Sequence, residues 1–138
     1  MHDLLAAARA RIARFTPLEA AAALERGAVI VDLRSHDERA RAGIVPGSIH
    51  VPRSVLEWRL DPDSGWANPL VARRELELIL FCAEGYSSSL AAAALVEIGF
   101  ERAGDLAGGF DAWRAAGLPI APAPPPAGGL PGMGGPQR

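Results

Sequence analysis

Two short, largely apolar runs limit what this chain can fold into. Ala28-Val29-Ile30-Val31-Asp32-Leu33 and Leu76 to Phe81 are short, rich in β-branched or large apolar residues, and show no polar alternation. A strand with that pattern is covered on both faces, as in a parallel sheet between layers of helices. A third, shorter strand is expected over Arg102 to Leu106, and a brief one over Ser48 to Val51. Helical stretches separate them, so the expected class is α/β with a largely parallel sheet. In such sheets ligands gather beyond the carboxyl ends of the strands.

Helix signals fill the intervals. Leu4, Leu5, Ala8, Ile12 and Phe15 recur at helical spacing and predict a leading amphipathic helix over 3–14. Thr16-Pro17-Leu18-Glu19 is a capping box with proline at the first helical position, opening a helix over 17–26 that Gly27 stops. Ser35-His36-Asp37-Glu38 is a second capping box, for a helix to about Ala42. Val55 to Leu60 suits one or two helical turns, and Asn68-Pro69 opens another short helix to about Arg74. Ser88 to Ile98 is apolar nearly all round, as a helix buried against a sheet would be. Phe110 to Ala116 is the last helix.

The pattern divides the chain into an N-terminal helix (1–15), one domain (16–119) and a tail (120–138). In residues 121–138, 11 of 18 are Pro or Gly. Such a segment has almost nothing to bury and is expected to be disordered. A length of 138 residues with 49% hydrophobic and 22% charged residues suffices for one self-sufficient core. The net charge of −2 gives no electrostatic footprint for nucleic acid. No apolar run approaches a membrane span. All 14 basic residues are arginine, which excludes lysine Schiff-base chemistry. One cysteine precludes an intrachain disulfide and suits a reducing, cytoplasmic setting. Three scattered histidines do not make a metal site, and no cofactor is expected.

That cysteine is where the chemistry points. Cys82 directly follows the apolar run ending at Phe81, and Ala83-Glu84-Gly85-Tyr86-Ser87-Ser88 lead into a helix. A short loop curling from a strand end to a helix start turns backbone N–H groups inward, and these donors stabilise an anion at the centre. A thiolate there has a lowered pKa and is a nucleophile near neutral pH. A buried structural cysteine is the alternative reading. Two chemistries use such a cradle. Attack on phosphorus or arsenic normally needs an arginine six residues after the cysteine to clamp the oxyanion. That position is Ser88, and no arginine lies in 82–101. Sulfur transfer through Cys–S–S⁻ needs only a ring of donors around one extra sulfur.

These residues resemble the rhodanese-like family. Cys82 to Ala92 resembles its active loop and following helix. Gly99-Phe100 with Asp105 to Trp113 resembles its C-terminal signature. Val31 to Arg34 and Gly43 to Pro52 resemble its two N-terminal signatures. The likeness spans about residues 15–119, four motifs in order. It implies a five-stranded, mostly parallel sheet flanked by helices. It also implies Cys82 as persulfide carrier, with the amides of 83–88 binding the terminal sulfur. The implied activity takes sulfur from thiosulfate or a persulfide to cyanide, a thiol or a protein. A non-catalytic binding or regulatory module of the same fold is the alternative. Two departures stand out. Many active members carry bases in the loop, whereas this one has Glu84 and Tyr86. A carboxylate several ångströms from a dianion costs on the order of 1 kcal/mol at an effective dielectric near 20, which disfavours thiosulfate. Ile44 stands where the family often has histidine.

Other residues weigh less. Asp32 and Arg34 end the first strand on the side of Cys82, where they can shape a substrate mouth or form an ion pair, with Glu38 a further partner. His50 reads as a structural histidine. Trp58, Trp66 and Trp113 read as core or cover. Gly108-Gly109 reads as a tight strand–helix turn.

Overall fold

A computed structural model of the chain describes residues 1–126 and 128–137. In chain order the elements are α1 (His2–Arg9), β1 (Ala13–Phe15), α2 (Pro17–Glu25), β2 (Val29–Asp32), α3 (His36–Ala42), β3 (Ile49–His50), α4 (Leu56–Leu60), β4 (Leu78–Phe81), α5 (Ser87–Glu97), β5 (Ala103–Leu106) and α6 (Gly109–Ala115). The five strands form one sheet in the order β1-β5-β4-β2-β3, and every pairing is parallel. The expected α/β class with a five-stranded parallel sheet is what forms.

The central strand shows why. All four residues of β4 are buried, and their side chains alternate between two cores. Leu78 and Leu80 join Val31, Leu56, Leu60, Ala91 and Leu95 on the side of α4 and α5. Ile79 and Phe81 join Ile30, Ala20, Phe110 and Trp113 on the side of α2 and α6. Both capping boxes close as the sequence suggests, Thr16 with Glu19 and Ser35 with Glu38.

Two helices differ from expectation. The leading helix, predicted over 3–14, ends at Arg9, and residues 13–15 become the edge strand β1. Tertiary pairing overrides the local pattern: Arg14 sits opposite Asp105 in the β1–β5 register, and its Nε donates to Asp105 Oδ1 at 2.9 Å. Gly104 makes the approach possible, since a Cβ there would collide with the Ala13 carbonyl oxygen. No helix forms over 68–74. Instead the Asn68 carbonyl accepts from Val71 and Ala72, and its side-chain Oδ1 accepts from Leu70 N–H at 3.1 Å, folding the segment into turns.

With almost nothing to bury, the Pro/Gly-rich tail is expected to be disordered; where described, it is held by hydrogen bonds. Ala121 and Ile44 exchange backbone bonds of 2.8 and 3.0 Å. Arg59 Nε donates to Pro131 O at 2.6 Å, and Asn68 Nδ2 donates to Gly132 O and Gly134 O. Ala127 and Arg138, within that expectation, lie outside the described residues.

Burial ranks the interactions. Leu80→Ala removes a wholly buried side chain from the central strand, and is expected to cost about 2–5 kcal/mol. Arg26→Ala breaks an exposed ion pair with Glu77, and is expected to cost less than about 1 kcal/mol. Urea unfolding of the two variants checks the order.

Candidate active site

The chain leaves β4 at Phe81, and Cys82 is its next residue, buried at the carboxyl end of the sheet's middle strand. The shape of the loop beyond it is set by the partners of its carbonyls. Phe110 N–H donates to Cys82 O at 2.9 Å and Asp111 N–H to Ala83 O at 3.0 Å, so the first turn of α6 claims both. Gly85 O accepts from Arg9 Nη2 at 2.9 Å, from Ser89 Oγ at 3.3 Å and from Arg14 Nη2 at 3.4 Å. A peptide points its N–H opposite to its C=O. Carbonyls pinned outward therefore leave amides free to turn toward the sulfur. The Gly108-Gly109 turn lies directly against this loop. A Cβ on Gly109, at φ +63°, would meet Cys82 O at 2.6 Å and Ala83 O at 2.7 Å.

Inside the loop, Gly85 N–H donates to Cys82 Sγ at 3.1 Å, and Sγ lies 3.4 Å from Ser88 Oγ. Burial acts to raise the thiol's pKa. Hydrogen bonds from the Ser87 and Ser88 side chains and from the Ser88 and Gly85 amides act the other way and prevail, holding it below its ordinary value. Ala83, Glu84 and Tyr86 complete the turn, with Glu84 and Tyr86 exposed.

A second network braces the loop from behind. Asp105 in β5 has no exposure, and its Oδ2 accepts from Ser88 Oγ at 2.9 Å and Ser89 Oγ at 2.7 Å. Arg14 neutralises it from the edge strand. Sequence reasoning missed Arg9, Arg14, Ser89 and Asp105. Only Asp105 left a signal, a lone carboxylate inside an otherwise apolar strand, which must find partners when buried.

A recess of about 300 Å³ opens over Cys82, lined by Leu33, Arg34, Glu38, Glu84, Tyr86 and others. Arg34 thus reaches the mouth, held by a bidentate bond to Asp32 (3.0 and 2.9 Å) and stacked 4.1 Å over the Phe110 ring. Asp32 is wholly buried between Arg34 and Arg39 and forms an ion pair with each. Glu38 lines the mouth without pairing to Arg34. His50 faces elsewhere: its Nε2 lies 2.7 Å from Arg34 O, and burial is the main cause lowering its pKa. A slightly larger cavity, about 310 Å³, lies between the tail and His36, Arg39 and His50, apart from the thiol. Among the described residues no group of three or more His, Cys, Asp or Glu side chains could hold a metal ion, and no helix is long and apolar enough to cross a membrane.

A parallel sheet with a thiol in an amide cradle at the end of its middle strand defines a class, and the comparisons give the same one. The rhodanese-like domain model matches residues 16–116, and the chain belongs to that family. Among its relatives, thiosulfate sulfurtransferase GlpE of Stutzerimonas stutzeri is 39% identical over 103 residues, covering 73% of this chain and 84% of that protein. A solved structure of a protein of unknown function, possible tyrosine phosphatase, from Rhodopseudomonas palustris superposes with TM-score 0.79 at 37% identity, covering 85% of this chain and 90% of that one. The human single-domain sulfurtransferase TSTD1 superposes with TM-score 0.61 at 26% identity, over 76% of this chain and 96% of that one.

This geometry makes two outcomes testable. Gly109→Ala is expected to destabilise the fold by about 1–3 kcal/mol and to slow Cys82 alkylation, because it pushes on the loop's backbone. Thermal unfolding and thiol alkylation check it. The lowered thiol pKa also sets a sign. The thiolate's contribution to stability is complete above the unfolded value of about 8.5 and is lost as pH falls through the folded value. Stability should therefore rise with pH just below 8.5, and Cys82→Ala should remove that slope in denaturant titrations.

Proposed function

We propose that the protein is a sulfurtransferase in which Cys82 carries sulfane sulfur as a persulfide. The observation that carries this reading is the lone thiol held by the Gly85 amide at 3.1 Å with Ser88 at 3.4 Å, its pKa lowered despite burial. The Cys82 thiolate attacks the outer sulfur of thiosulfate or of a persulfide donor. A new S–S bond forms, the donor's S–S bond breaks, and sulfite or a thiolate leaves with the electron pair. Cys82 then bears Cys–S–S⁻. A nucleophilic acceptor, cyanide, a thiol or a protein thiol, attacks the terminal sulfur and returns Cys82 as thiolate. No proton or oxidant is needed beyond the reactants.

The backbone amides of Ala83, Glu84, Gly85, Tyr86, Ser87 and Ser88 are the donors for the terminal sulfur. The Ser88 hydroxyl serves both states. It donates to Asp105 when the thiol is protonated and can swing that proton to an anionic sulfur, since Ser89 still satisfies Asp105 Oδ2. Arg34 frames the mouth, and its tie to Asp32 keeps it in place. The relatives' name supports thiosulfate as one donor. A thiol that must return to its reduced state suits a reducing, cytoplasmic setting.

Phosphoryl chemistry is disfavoured by Ser88, which stands where the oxyanion-clamping arginine would be. Arg9 and Arg14 do not replace it, because both donate to the outward-facing Gly85 carbonyl.

Intact-mass measurement after incubation with thiosulfate, and separately with a small persulfide, tests the assignment. The expected result is a gain of one sulfur atom, discharged by cyanide with thiocyanate release, and absent in Cys82→Ser. No uptake from either donor would leave the non-catalytic binding module as the better reading. Uptake retained in Cys82→Ser would exclude Cys82 as the carrier.

A further inference from the structure

The loop from Cys82 to Ser88 contains a carboxylate, Glu84, and no basic residue. Yet a thiolate and then a persulfide anion must be held there. The charge that compensates comes from outside the matched domain, which begins at residue 16. In α1, Arg9 places Nη2 2.9 Å from Gly85 O and Nε 3.1 Å from Ser89 Oγ, and its guanidinium carbon lies 5.7 Å from the centroid of the Tyr86 ring. One side chain thus touches the apex of the loop, the residue after it and the helix beyond.

We propose that Arg9 is a positioning residue of the sulfur-carrying loop, fixing the Gly85 carbonyl and supplying the positive charge that the loop's own sequence lacks. The proposal deepens the sulfur-transfer reading and rests on it.

Three observations separate Arg9 from its neighbours. Arg14 also donates to Gly85 O, at the longer distance of 3.4 Å, but its charge is cancelled by the buried Asp105. Arg11 pairs with Glu97 on the surface. Arg9 makes no salt bridge among the described residues, so its charge is not cancelled by a contacting carboxylate. The Gly85 carbonyl it holds belongs to the same trans peptide as the Tyr86 N–H. A cation drawing on the oxygen polarises that peptide and makes its N–H, on the opposite side, a stronger donor. The same bond fixes Gly85, at φ +90°, whose own N–H meets Sγ.

The charged and titratable groups around Cys82 include Arg9 on α1, Arg14 on β1, Asp105 on β5, Arg34 after β2, Glu38 on α3, Asp111 and Arg114 on α6, and Glu84 and Tyr86 in the loop. Arg34 and Arg39 share the single charge of Asp32, Asp105 cancels Arg14 and Asp111 pairs with Arg114. Of the two arginines that donate to the loop's backbone, Arg9 and Arg14, only Arg9 lacks a contacting carboxylate among the described residues.

The lone cysteine makes the test direct. The rate of Cys82 alkylation by iodoacetamide is monitored against pH in the full chain and in Arg9→Gln, Arg9→Met, Arg9→Lys and Arg11→Gln, with a thermal melt of each. The midpoint should move up in both neutral variants by about one pH unit, a roughly tenfold loss of thiolate below it. Arg9→Lys should retain most of the wild-type midpoint, and Arg11→Gln all of it. Midpoints unchanged in folded Arg9→Gln and Arg9→Met, a lysine variant no better than glutamine, or an equal shift in Arg11→Gln would each overturn the proposal. Sulfur uptake is scored separately. A shifted midpoint in a protein that takes up no sulfur would uphold the role of Arg9 in holding the thiolate and overturn sulfur transfer. Uptake with no shift would do the reverse.

Discussion

A buried thiol is ordinarily a weak acid, and desolvation alone would make Cys82 weaker still. The loop reverses this by assigning its carbonyls. Each of three carbonyl oxygens, on Cys82, Ala83 and Gly85, has an outward partner, supplied by the α6 amides or by arginine. With the loop's path fixed, the Gly85 amide and the Ser88 hydroxyl meet the sulfur. Hydrogen bonds to a charged group contribute about 1.5–3 kcal/mol each, against about 1 for a neutral pair. A few such bonds outweigh the burial of one thiolate.

The frame that holds this loop is symmetrical about β4. On one side Asp32, at the end of β2, lies beside Phe81; on the other Asp105 in β5 lies beside Leu80. Both carboxylates are wholly buried, and both are tied to arginine. A buried carboxylate left unpaired is strongly destabilising, so each fixes its arginine in place. Through Arg34 one frames the recess, and through Arg14, Ser88 and Ser89 the other braces the loop.

Much of this was legible in the residues. Apolar runs located β2 and β4 because burial on both faces leaves largely apolar stretches. Capping boxes placed the starts of α2 and α3 because those bonds are local. Cys82 and its loop could be read from their position between a buried strand and a helix. Other features depend on contacts distant in sequence. Strand β1 exists because Arg14 meets Asp105, and nothing in Ala13-Arg14-Phe15 announces that. The turns at 68–72 arise from the Asn68 side chain, which also reaches the tail. Arg9 lies in the leading helix predicted from apolar spacing, but its contact with Gly85 spans 76 positions.

The hold of the loop on the sulfur is tested most directly by NMR titration of the loop's amide protons. If the sulfur is held by inward-turned amides, the Gly85 and Ser88 resonances should shift downfield together as Cys82 ionises. Their common midpoint should lie below that of a free cysteine, and the shifts should vanish in Cys82→Ser. Resonances that ignore the titration, or a midpoint at or above the free value, would contradict that hold.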